Sequence, residues 1–106
     1  MGARMRGDND RTRARGGLDR TGAERVAVAV LGFLAAEPER LAAFLETSGL
    51  DPRTLRQAAA DPGFFPGLLD YIAGDETLLI AFAQDLGETP ERVMEARRLL
   101  SPTEEA

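Results

Sequence analysis

The sequence predicts an all-α protein, a compact bundle of five or six short helices. Three observations predict it. No segment alternates apolar and polar residues with the period of two that a half-buried strand needs. Helix punctuation recurs along the chain: an acceptor or acidic residue followed by Pro or a second acid at the starts, and Gly at several of the ends. Between these signals the apolar residues fall in runs long enough to cover a helix face. A chain of 106 residues suits one domain, since domains typically hold roughly 100–150 residues.

Residues 1–20 carry six Arg against three Asp, a net charge of +3, with few apolar side chains beyond Met1, Met5 and Leu18. So little apolar surface cannot offset a backbone ordering cost of ~1–2 kcal/mol per residue, and 1–20 is expected to be a disordered Arg-rich tail. The helical domain is expected over 21–101. Thr21-Gly-Ala-Glu24 has the form of a capping box, in which the Thr hydroxyl accepts from an early helical N–H while Glu24 reaches back. The eleven-residue run Val26 to Ala36 then forms a buried helix. A charged start ahead of such a run also has the outline of a secretory leader. Glu24 breaks the positive flank, however, and Leu34 spoils a small-x-small site at Ala35-Ala36. The run is also short of the about 20 residues that cross a bilayer.

Glu37-Pro38 opens a second helix that Gly49 closes, and Asp51-Pro52 a short third reaching about Ala60. Over 61–73 the signals conflict. Asp61-Pro62 resembles a cap, but Gly63, Pro66 and Gly67 disfavour a helix, so a turn is expected at 62–65 and a helix from about Pro66 to Ala73. Asp75-Glu76 opens a helix ending at Gly87, and Thr89-Pro90 one running to about Leu100. Ser101-Pro102 stops it, leaving 102–106 as a disordered acidic end.

Shifting the chain by 38 residues lays Val28–Ala59 on Pro66–Arg97 without a gap, with eight identities in 32 positions. They are Leu31/Leu69, Ala35/Ala73, Leu41/Leu79, Ala43/Ala81, Phe44/Phe82, Gly49/Gly87, Pro52/Pro90 and Ala58/Ala96. Both apolar anchors and helix punctuation recur, which predicts two tandem three-helix units facing each other like a dimer within one chain. The expected shared core is Phe33, Phe44, Tyr71 and Phe82 with Leu31, Leu41, Leu69 and Leu79. The stretches Val26–Ala36 and Leu78–Ala83, apolar nearly all round, are expected to be wholly buried.

Composition removes most chemistry. The chain has no Cys, no His and no Trp, and its 13 basic residues are all Arg. Thiolate sites, imidazole bases and Lys Schiff bases are therefore out of reach. Codon usage in a GC-rich genome accounts for the all-Arg choice better than a phosphate-binding role does. The hydroxyls of Ser48, Tyr71 and Ser101 have no His or Lys to activate them. The acid clusters Glu37/Glu39, Asp75/Glu76 and Glu88/Glu91/Glu95 stand at helix starts, where they suit the dipole; Glu104/Glu105 end the chain. Asp70, amid apolar neighbours, reads as the exposed position of an amphipathic helix rather than a buried acid. No catalytic, metal-binding or cofactor-binding residue is predicted, and the chain is expected not to be an enzyme.

Two features admit partner contact. Phe64-Phe65, on a Pro/Gly turn, either plug the space between the two units, the preferred reading, or anchor a partner. Arg11, Arg13 and Arg15 resemble an RNA-contacting arginine segment, though Asp8, Asp10 and Asp19 dilute the charge and no aromatic is there for base stacking. Residues 21–106 carry seven Arg against fifteen acids, a net −8 that repels nucleic acid and anionic membranes.

The run from Phe33 to Gly87 resembles a bacterial family of domains of unknown function, number 3572. The likeness lies in Phe33-Leu34-Ala35, Glu37-Pro38-Glu39-Arg40-Leu41, Phe44-Leu45, Gly49-Leu50-Asp51-Pro52, Leu55-Arg56, Ala60-Asp61-Pro62, Leu69-Asp70, Asp75-Glu76 and Leu78-Leu79. It covers about residues 22–100 and departs from the pattern at Pro66 and Gly67, where the family favours helix formers. The resemblance implies a small helical cytoplasmic protein and carries no activity, ligand or site. The sequence thus predicts a cytoplasmic interaction or adaptor domain, without a membrane segment, that binds a protein partner or itself. The alternative is a nucleic-acid-associated protein acting through its tail.

Overall fold

Local chemistry punctuates the chain first. In a computed structural model that describes residues 18–101, six α-helices follow one another: α1 Arg20–Ala35, α2 Pro38–Ser48, α3 Leu55–Ala59, α4 Phe64–Ala73, α5 Glu76–Leu86 and α6 Pro90–Leu100. A 3₁₀ turn, Pro52–Thr54, leads into α3, and no strand occurs among the described residues. The expected ends hold at Gly49 and Gly87. Both adopt the left-handed conformation, φ 74° and 69°, and the N–H of the next residue bonds back to the fifth carbonyl before it, Leu50 to Leu45 and Glu88 to Ala83, each at 2.9 Å.

Three expectations need correction. The first helix starts at Arg20, not beyond Thr21, because the side chain of Asp19 takes the cap, accepting from Gly22 N–H at 2.8 Å. Leu18, just before it, is buried. The fourth helix starts at Phe64 rather than Pro66. Asp61 turns the chain early, with its side chain accepting from Gly63 N–H at 2.7 Å and its carbonyl from Phe64 N–H at 3.0 Å. Pro66 then lies in the first turn, where an N–H has no partner inside the helix; Gly67 N–H makes the bond to Gly63 at 3.0 Å. The apolar runs are not wholly buried either: Val28 of α1 and Ile80 of α5 are 54% and 43% exposed.

Helices α1, α4 and α6 pack on one another, with α2 against α1 and α5 against α4. On α1 the buried side chains are Ala23, Val26, Ala27, Val30, Phe33 and Leu34, one face of a helix. Across from them α4 buries Phe64, Leu68, Leu69 and Ile72, and α6 presents the ridge Val93, Ala96 and Leu100. Of the expected core, Phe33, Phe44, Phe82, Leu69 and Leu79 are buried, while Tyr71, Leu31 and Leu41 are half-buried against it. Val30 and Leu34, from the run expected to be buried, are fully buried, and so are Leu68, Ile72 and Val93, which were not among the expected core residues.

Among the described residues three ring contacts cross the bundle, Phe44–Phe64 and two that the shift relates to each other. Phe33 meets Phe82 edge-to-face with centroids 5.4 Å apart, and Phe44 meets Tyr71 the same way at 5.1 Å. The shift of 38 residues takes Phe33 to Tyr71 and Phe44 to Phe82, so each contact maps onto the other with the units exchanged. The shift also carries the ends of α1 and α2 onto those of α4 and α5, and Pro52 onto Pro90. It fails at the third helix. Helix α6 has 11 residues lying on α1 and α4, whereas α3 has 5 and buries none of them.

Phe82 is fully buried and contacts a second ring, so Phe82→Ala is expected to cost about 3–5 kcal/mol in denaturant-unfolding experiments. Gly87→Ala, forced into the left-handed region, is expected to cost about 1–2 kcal/mol in the same assay.

Candidate interaction surface

The aromatic pair on the Pro/Gly turn divides between two roles. Phe64 is buried, its ring 6.2 Å from Phe44, and Phe65 is half-buried beside it. Phe64 thereby helps floor a groove of about 300 Å³ between α2, α3 and the start of α4. Phe44, Ser48, Leu50, Ala58 of α3, Asp61, Gly63 and Gly67 line the rest of it. Gly67 is exposed, and a Cβ added there would meet nothing within 4 Å. The groove was not foreseen from the sequence. The one oddity the sequence offered nearby was Pro66-Gly67, where a helix former was expected.

The polar residues are occupied with structure. Asp70 is exposed and paired with Arg97 of α6 at 2.6 Å, which ties α4 to α6 at the surface. Asp75 caps α5 by accepting from Leu78 N–H at 3.1 Å, and Thr89 caps α6 by accepting from Arg92 N–H at 3.1 Å. Glu88 pairs with Arg92 at 3.2 Å, and Glu95 accepts from Leu18 N–H at 3.4 Å. Arg40 stacks its guanidinium over Phe33, 4.2 Å from the ring centre. Among the described residues no group of three or more acids could hold a metal ion, and no helix is long and apolar enough to cross a membrane. Arg11, Arg13 and Arg15, with the rest of 1–17 and 102–106, lie outside the described residues.

Next to the groove, Asp51 holds Arg53 with two side-chain bonds, from Nε at 3.3 Å and Nη2 at 2.9 Å. It also accepts from Arg53 N–H at 2.9 Å. The guanidinium bonds first, then the backbone one, lower the Asp51 pKa below its ordinary 3.8, and the same carboxylate raises that of Arg53. Because the folded-state pKa is the lower one, the pairing is present above the ordinary carboxylate range. It is lost as pH falls through the folded value.

A family model described as "Protein of unknown function (DUF3572)" matches residues 20–103, and the chain belongs to that family. No curated protein and no solved structure matches it significantly. The match begins at the first residue of α1 and takes in all six helices.

An NMR carboxylate titration is expected to find Asp51 below 3.8 in the native chain and nearer that value in Arg53→Ala, which removes the guanidinium bonds and keeps the backbone one.

Proposed function

We propose that the chain is a non-enzymatic interaction or adaptor domain of the bacterial cytoplasm, whose helical body holds a protein partner or a second copy of itself. The groove beside α3 carries the reading: it is an opening that reaches the core aromatics Phe44 and Phe64. Supporting it, the described acids that the sequence singled out serve as caps, ion pairs or surface charge. The same reading takes the two three-helix units as products of a duplication whose third helices diverged. One came to seal the core and the other to stand off from it.

A second reading is favoured by the charge split, +3 over 1–20 against −8 over 21–106. On that reading the arginines at 11, 13 and 15 hold nucleic acid, with a steep loss of binding as salt rises.

Affinity capture from the host separates the two, comparing the full chain with 18–106, so that Leu18 and the Asp19 cap are kept. The adaptor reading predicts partners that survive both truncation and nuclease. Partners lost with the tail or with nuclease would transfer the function to residues 1–17.

A further inference from the structure

We infer that the groove between α2, α3 and α4 seats an amphipathic helix of a partner protein, with an apolar ridge spaced like Val93, Ala96 and Leu100 of α6. The inference rests on the adaptor reading and supplies its site and ligand.

The molecule contains its own template for this seat. The shift of 38 residues takes Phe44 to Phe82, Leu55 to Val93 and Ala58 to Ala96. In the second unit Phe82, Val93 and Ala96 are all fully buried, because an eleven-residue helix closes the seam. In the first unit Leu55 and Ala58 are only half-buried, and the seam beside Phe44 stays open as the groove. The side chains that fill this geometry, where it is filled, belong to a helix.

Gly67 points the same way from a different observation. Glycine inside a helix costs about 1 kcal/mol relative to alanine. None of the described residues approaches closely enough to require it, since its Cβ would stand in open space. It lies on the groove, where a bare backbone lets an incoming helix come close. The volume agrees: about 300 Å³ is at the bottom of the ~300–1,000 Å³ range of small-molecule pockets, and the groove is open to solvent, as helix-receiving grooves are. Asp61 in the lining suits a helix that carries Arg or Lys beside its ridge, as α6 carries Arg98.

The test adds a peptide of residues 88–101, as the probe helix, to the isotope-labelled full chain and follows the amide resonances. Saturable shifts centred on Leu50, Ala58, Gly63 and Gly67 are expected. Gly67→Leu fills the groove from the helix while improving helix propensity, and is expected to weaken binding by about tenfold or more. Ala58→Met, from α3, is expected to do the same should the Leu variant fold poorly, and Val93→Asp in the peptide to abolish binding. No saturable binding, shifts confined to α1, α5 and α6, or wild-type affinity in both groove variants would overturn the proposal. Capture of the same partners by wild type and Gly67→Leu would sink the groove and leave the adaptor reading standing. Failure to capture any partner would remove both.

Discussion

Phe33 of α1 against Phe82 of α5, and Phe44 of α2 against Tyr71 of α4, are the contacts on which the remaining packing depends. Each pair joins one of the first three helices to one of the last three, so neither set closes the core without the other. Edge-to-face pairs contribute about 0.5–1.5 kcal/mol beyond the area they bury, and the larger consequence is positional. With the rings crossed, α1 and α4 are brought face to face, and Val30, Leu34, Leu68, Leu69 and Ile72 meet without contact with water. The Arg40 guanidinium over Phe33 and the Asp70–Arg97 pair then close the surface above this core.

What differs between the halves is the third helix, and the cause is in the chain. Thr89-Pro90 starts eleven residues uninterrupted by Gly or Pro, and their Val-x-x-Ala-x-x-x-Leu ridge settles across α1 and α4. Asp51-Pro52 starts a segment that spends its first turn as 3₁₀ and is halted by Asp61-Pro62, since a residue before proline is pushed out of the helical region. Five residues cannot reach across the core. The open groove beside Phe44 follows from that shortfall.

Much of the fold was legible because its punctuation is local. Gly49 and Gly87 announce left-handed exits, and Pro38, Pro52 and Pro90 announce first turns, whatever lies around them. The misreadings came where two residues compete for one role or where tertiary packing decides. Asp19 and Thr21 both offer an acceptor to the same helix start, and only the geometry selects Asp19. Pro66 looked like a breaker until Asp61 was seen to begin the turn early enough to place it among the free N–H positions. An apolar run cannot disclose that Val28 and Ile80 face solvent. Of the candidate site, the sequence disclosed Phe64-Phe65 and the oddity of Pro66-Gly67. The groove itself depends on how far α3 stands from α2, which no local signal encodes.

The proposed adaptor role needs a rigid side and a receptive side on one core, and that proposal reduces to a difference in how firmly α6 and α3 are docked. Native-state hydrogen exchange measures that difference directly. The amides of Ala60 and Asp61 are hydrogen-bonded, to Gln57 and Ala58 at 3.1 and 3.0 Å, so fast exchange there would report undocking rather than a missing bond. Val93 and Ala96 are expected to exchange only through global unfolding, while Ala60 and Asp61 exchange through a local opening of far lower free energy. Equal protection at the two sites would mean that α3 is as firmly seated as α6, and would contradict the account.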